Sequence, residues 1–247
     1  MLSKNLIKYI RSLEQKKNRK KEGVFVAEGP KVVGDLLKLY TPQLIVATEE
    51  WTRSHQACKC EMLTVTEDEL AKTSFLQHPQ QVIGLFPLPT HSAPSNPAGL
   101  SLALDGIQDP GNLGTIIRIA DWFDISTIYC SLDTADAFSP KVVQATMGSI
   151  ARVHLVYTDL TKLLDSLPKD TPVYGTLLDG KNIYKETIEP KGIIVMGNEG
   201  NGISHAIRQR ITRRLLIPPF RQGDTADSLN VAIATAITCS EFRRRMG

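Results

Sequence analysis

Long apolar runs are missing from this 247-residue chain, and none approaches the roughly 20 residues that a bilayer span requires. Near Met1, Lys8 and Arg11 break the apolar stretch, so the start lacks the uninterrupted core of a secretory signal. Cysteine is scarce. The four present, Cys58, Cys60, Cys130 and Cys239, include no CxxC pair, and Cys-Lys-Cys is poor spacing for zinc ligands. There is no internal repeat and no low-complexity segment. These absences exclude a membrane span, a disulfide scaffold and a zinc ribbon, and they predict a metal-free cytoplasmic protein with reduced thiols. The length suffices for one large domain or two modest ones with a buried core.

Charge is present but uneven. The chain carries 29 basic and 26 acidic residues for a net charge of +3, yet eight of the basic ones fall within the first 21 positions beside a single acid, Glu14. Such a cluster reads as an electrostatic footprint for the phosphates of a nucleic acid, with a solvated surface helix as the alternative. Lys8, Arg11, Lys16, Lys17 and Arg19 are the candidate RNA-binding residues. Leu6, Ile10 and Leu13 recur at helical spacing, so the first helix buries one stripe and presents the basic one.

After that helix, Val24–Ala27, Leu44–Ala47, Met62–Val65 and Val82–Phe86 read as short strands. Pro30 opens one helix and Glu67–Lys72 forms another, giving a small α/β domain over 1–87. Four prolines in residues 87–99 bar a helix or a central strand there, so 88–99 is a linker. Beyond it, strands at 102–107, 127–130, 153–157, 173–177, 193–196 and 215–217 alternate with helical segments. That alternation predicts a second α/β domain over 100–247, with a mostly parallel sheet and helices on both faces.

Three stretches in this second domain carry the chemistry. In Leu104-Asp105-Gly106-Ile107-Gln108-Asp109-Pro110-Gly111-Asn112, a buried strand ends in a turn and a helix starts near Asn112, which is placed to cap it. Arg118 then interrupts the apolar run Ile116–Ala120, and an arginine there needs a phosphate or carboxylate partner. The second stretch leads from the strand Ile193–Met196 into Gly197-Asn198-Glu199-Gly200-Asn201-Gly202, where glycines let main chain approach a ligand. Its spacing is GxxGxG, not the GxGxxG of a dinucleotide fold, and no lysine follows to hold a nucleotide phosphate. Glu199 is open to a local cap or salt bridge as well as to a site role. The third stretch runs from Leu215-Leu216-Ile217-Pro218 through a polar loop to Ser228, read as the N-cap of a last helix.

Together, Asn112…Gly114…Arg118, Gly197-Asn198-Glu199-Gly200 with Gly202, and Ile217-Pro218…Ser228-Leu229-Asn230-Val231 resemble the three signature motifs of the SpoU (TrmH) family of RNA 2′-O-ribose methyltransferases, in the SPOUT superfamily. Upstream, Lys16-Lys17-Asn18-Arg19 and Phe25-Val26-Ala27-Glu28-Gly29 resemble the substrate-binding domain, similar to ribosomal protein L30e, of many members. The resemblance implies a C-terminal trefoil knot, a rare exception to unknotted topology, and a homodimer formed through the knotted domain. It implies S-adenosylmethionine as cofactor, held around Gly197, Gly202, Ile217 and Leu229, with Leu177 and Asn198 as further contacts. It implies structured rRNA or tRNA as substrate, with rRNA favoured. Asn112, Arg118, Glu199, Ser228 and Asn230 become the catalytic set. In that set Arg118 holds a phosphate or the nascent alkoxide, Asn112, Ser228 and Asn230 orient the hydroxyl, and Glu199 fixes the substrate loop. A neutral Arg118 acting as base would cost roughly 7 kcal/mol at pH 7, so the electrostatic role is preferred. The loop at 219–227 is longer than in many relatives. A catalytically silent RNA-binding or ribosome-assembly protein on the same fold is the alternative, and a small-molecule nucleotide enzyme is a third.

Overall fold

A computed structural model describes residues 2–55, 60–89, 99–221 and 228–245. Cys58, most of the expected linker and most of the loop after Phe220 lie outside these residues. The chain forms two units, Met1–Thr90 with Asp136–Ala151, and His91–Ala135 with Arg152–Gly247. No helix among the described residues is long and apolar enough to cross a membrane.

The first unit opens with α1 (Lys4–Ser12), whose first turn is capped by the Ser3 hydroxyl accepting the Leu6 N–H at 3.2 Å. Ile10 and Leu13 are buried, as the helical spacing requires. The basic run that follows is a separate helix, α2 (Lys16–Glu22). Then come β1 (Val24–Glu28), α3 (Pro30–Leu37), β2 (Leu44–Thr48), α4 (Glu49–Ser54), β3 (Glu61–Val65), α5 (Glu67–Thr73) and β4 (Val82–Pro87). Their sheet has the order β1-β4-β2-β3, with β4 antiparallel to both neighbours and β2 parallel to β3. Val24, Val26, Val46, Ile83 and Leu85 pack with Ile10 and Leu13 in one apolar core.

The second unit runs β5 (Leu100–Asp105), α6 (Pro110–Trp122) and β6 (Thr127–Cys130), after which the chain returns to the first unit as α7 (Pro140–Ala145). This return differs from the expected boundary, which kept every residue after 100 in one domain. Its causes are specific contacts: the Phe138 ring lies 5.1 Å from Phe25, and Asp136 pairs with Arg19 at 2.5 Å. The second unit then continues with β7 (His154–Tyr157), α8 (Leu160–Asp165), β8 (Val173–Asn182), β9 (Gly192–Gly197), α9 (His205–Arg208), β10 (Arg213–Leu216) and α10 (Val231–Arg244).

All six strands are parallel in the order β10-β8-β9-β5-β6-β7. Residues that alternate along β5, β6 and β9 are buried on opposite faces, as a sheet covered on both sides demands, whereas β10 exposes Arg213 and Arg214. Ala103, Tyr129, Ile193 and Val195 pack with Leu160 and Leu164 of α8 and Ile207 of α9. On the other face, Tyr174 meets Phe242 of α10 edge-on at 4.8 Å. From β5 the chain builds outward through β6 and β7, then crosses over and returns β9 to the other side of β5. Loops after β5 and β9 therefore leave the sheet side by side, at the reversal of strand order where α/β sheets bind ligands.

Candidate active site

The last registered pair of the two central strands is Asp105 with Gly197, so both chemistry-bearing loops begin at one level. The first loop turns at Gly106 and enters α6 at Pro110, whose fixed φ and missing N–H suit the first helical position. Asp109, not Asn112, is the cap: its carboxylate accepts the Asn112 N–H at 2.7 Å. The helix starts at Pro110, two residues before the expected start, and the cap moves by three, which releases the Asn112 side chain from capping.

That side chain ties the three motifs together. Asn112 Nδ2 donates to Glu199 Oε1 at 2.9 Å, and Asn112 Oδ1 accepts from Asn230 Nδ2 at 2.9 Å. Asn230 Oδ1 accepts the N–H groups of Ala232 at 2.9 Å and Ile233 at 3.3 Å, so Asn230 caps α10. Ser228, expected as that cap, stands exposed two residues earlier. Because main-chain donors fix the Asn230 oxygen, every later donor and acceptor in the chain has one polarity. The relay ends on a carboxylate, and its two amides stand in the first turn of α6 and at the N-cap of α10. Partial positive charge at those ends favours an anion there.

The glycine-rich loop folds tightly on itself. Asn198 exchanges two main-chain hydrogen bonds of 2.9 Å with Gly202. A Cβ on Gly197 would lie 2.3 Å from Gly202 C and Ile203 N, so only glycine fits this crossing. Asn198 Oδ1 accepts the N–H groups of Gly200 at 2.9 Å and Asn201 at 3.0 Å, while its Nδ2 donates to Gly106 O at 2.7 Å. Asn198, expected near the cofactor, works through its side chain as the brace of the loop. Asp105 adds a second tie by accepting the Ser204 N–H at 2.7 Å.

Arg118 stands one and a half turns beyond Asn112 on α6 and is exposed, whereas Ile116, Ile117 and Ala120 are buried. Its place in an apolar run implied an anionic partner, a phosphate or a carboxylate. The helical phase turns it outward, and among the described residues it makes no ion pair. Leu177 on β8 is half-buried against the apolar core, and by register lies two residues beyond the Gly175–Val195 pair, level with Gly197. Ile217 is half-buried just past β10, and Leu229 is 49 % exposed beside the Asn230 cap. Three apolar side chains and a loop in which Gly197, Gly200 and Gly202 leave main chain uncovered are the kinds of group that suit a flat heterocycle with a polar tail.

Of the basic residues proposed to meet RNA, Lys8, Lys16 and Lys17 are exposed. Arg11 is also exposed, but its guanidinium donates to Ser74 O and lies 4.9 Å over the Phe75 ring. Arg19 is a correction: it is 2 % exposed and donates to Leu13 O and Glu14 O at 2.6 Å and to Asp136 at 2.5 Å. It closes the C-terminal end of α1 and holds the returning segment, and no RNA reaches it. Cys130 and Cys239 are buried, and burial pushes both thiols up to about 12, so neither supplies a thiolate nucleophile.

Asp105 and Asp109 were missed as site residues. An Asp directly before Pro at the mouth of a helix was the available signal for the second. For the first, no sequence signal separates it from any strand-terminal acid.

This sheet order, with a glycine loop at its reversal and an amide relay joining two helix N-termini, defines an α/β domain that binds a small ligand at its strand ends. Residues 99–240 match the SpoU rRNA methylase family and residues 4–84 match the MRM3-like substrate binding domain. The chain belongs to the SpoU rRNA methylase family. It is 31 % identical over 241 residues to the 23S rRNA (guanosine(2553)-2′-O)-methyltransferase RlmP of Bacillus subtilis, covering 96 % of this chain and 95 % of that protein. Among solved structures it resembles a putative RNA methyltransferase of the TrmH family from Porphyromonas gingivalis, at 42 % identity, 99 % coverage of both chains and a TM-score of 0.91. It also resembles an AdoMet-bound rRNA methyltransferase from Sinorhizobium meliloti, at 32 % identity and a TM-score of 0.86, covering 100 % of this chain and 97 % of that one. The cofactor of the domain is S-adenosylmethionine.

Proposed function

We propose that this protein transfers a methyl group from S-adenosylmethionine to a ribose 2′-hydroxyl of structured RNA, with ribosomal RNA favoured. The observation that carries the reading is the Glu199–Asn112–Asn230 chain, which draws one residue from each motif into a single hydrogen-bonded unit. The Bacillus relative is named for a 23S rRNA guanosine, which favours rRNA over tRNA.

When bound, the cofactor supplies an electrophilic methyl on a sulfonium. The protein's part is placement of the hydroxyl and support for charge on its oxygen as its proton passes to water. Leu177, Ile217 and Leu229 hold the cofactor's apolar face, and main chain of Gly197 and Gly202 its polar edge. Each relay amide keeps a second hydrogen on its nitrogen, so Asn112 and Asn230, with Ser228 beside them, bind the ribose oxygen. The two helix N-termini stabilise negative charge as it develops on that oxygen. Arg118 holds the phosphate of the target nucleotide, and Lys8, Lys16 and Lys17 hold the RNA backbone at a distance. Methylation of a pyrimidine carbon needs a thiolate, and none of the four cysteines lies in the three motifs, while burial keeps Cys130 and Cys239 protonated. A second copy of the chain covers α6 and α10, where Trp122 is 84 % and Ile233 53 % exposed.

The test is incubation with labelled S-adenosylmethionine and unmodified rRNA and tRNA, followed by alkaline hydrolysis. Label in alkali-resistant 2′-O-methyl dinucleotides is the expected result. No incorporation, with no cofactor binding by calorimetry, would instead support the silent RNA-binding protein.

A further inference from the structure

Behind the glycine loop lies a buried pair of hydroxyls that no motif contains. Ser131 and Thr134, 9 % and 3 % exposed, follow the end of β6. Their oxygens are 2.9 Å apart, and Thr134 Oγ1 donates to Leu104 O at 3.2 Å. Thr134 has given its proton away, so Ser131 donates to Thr134 and is left to accept the Gly106 N–H, at 2.8 Å. The carbonyl of the same Gly106 accepts Asn198 Nδ2 at 2.7 Å. Gly106 has a φ of 71°, and glycine is the residue least able to hold such a turn by itself. Its N–H is anchored on one side of the turn, and on the other Ile107 O accepts the Ala135 N–H at 2.8 Å, so the Gly106 C=O is held between two ties. That carbonyl sets Asn198, whose side-chain oxygen holds the Gly200 and Asn201 N–H groups just past Glu199.

We propose that Ser131 is a positioning residue for methyl transfer: acting through Gly106 and Asn198, it fixes the loop on which Glu199 meets Asn112. The inference rests on the function proposed above and deepens it by naming what holds the relay in register. Ser131 touches neither cofactor nor RNA. Its effect falls on the geometry of the transition state, not on RNA affinity.

The test uses the full chain with Ser131→Ala, Ser131→Thr, Asn198→Ala and the Ser131→Ala/Asn198→Ala double variant, all assayed well below their melting temperatures. Ser131→Ala lowers kcat about tenfold with KM for RNA unchanged, and speeds amide hydrogen exchange at Gly200 and Asn201. Ser131→Thr restores both, because the hydroxyl returns. In the double variant the losses do not multiply, since both changes break one path. Multiplying losses, a fall confined to RNA KM, or unchanged exchange in Ser131→Ala would overturn the proposal. Should the unaltered protein methylate no RNA, the functional reading fails on its own, and the exchange measurement still reads the brace.

Discussion

Asn112→Asp replaces one amide nitrogen by oxygen and leaves size and shape alone. The acceptor toward Asn230 Nδ2 survives, but the donor toward Glu199 Oε1, 2.9 Å away, becomes a second carboxylate. Losing a hydrogen bond to a charged group costs about 1.5–3 kcal/mol. Two like charges on this exposed pair also repel, weakened by solvent, so the pair takes up a proton more readily as pH falls. The pair's pKa is then raised above that of a free carboxylate, so the relay is intact below that raised pKa and lost as pH rises through it. Methyl-transfer rates of the variant should fall roughly 10- to 150-fold at pH 7.5. Relative to the unaltered protein, they should recover as the pH approaches 5. Single-turnover kinetics across pH 5 to 8 supply the measurement. A variant as fast as the unaltered protein at pH 7.5, or one whose deficit is the same at every pH, would refute the relay.

Gly197→Ala forces a Cβ within 2.3 Å of main chain; calorimetry should show cofactor affinity lost together with a lower Tm. Arg118→Ala should abolish transfer while sparing cofactor binding, and a large loss of cofactor affinity would contradict a role on RNA. Arg19→Met strands Asp136 and two carbonyls, so urea denaturation should report a loss of about 3–5 kcal/mol, with RNA affinity of the folded fraction unchanged. Hydrogen bonds from Arg244 and then Arg245 hold Glu241 at about 2, against 4.5 for a free side chain. The stability it adds is full above the unfolded value and lost as pH falls from about 4.5 toward 2. Glu241→Gln should therefore be less stable at pH 7 and flatter across that acid window by circular dichroism.

The central strands were legible because buried parallel strands are apolar at nearly every position, and the run Thr127–Cys130 was read to the residue. Two of the motifs follow such strands, whereas the third follows the edge strand β10, whose Arg213 and Arg214 are exposed. Caps were not legible. Asp109-Pro110-Gly111 reads as a turn until its proline is placed inside the helix, and Ser228 and Asn230 are equally good caps two positions apart. The outward turn of Arg118 was open to counting 100° per residue, which separates it from the buried Ile116, Ile117 and Ala120. A run of like charges conceals which member turns inward, and Arg19 shows its role only once Asp136 is beside it. That return of 136–151 to the first unit rests on distant pairings such as Phe25 with Phe138, which no local pattern announces.

Mapping ribose methylation in the rRNA and tRNA of cells lacking this protein tests the central claim most directly. The account predicts that one 2′-O-methyl group disappears, returning with the unaltered gene and not with Arg118→Ala or Asn112→Asp. An unchanged map, or restoration by either variant, would contradict it.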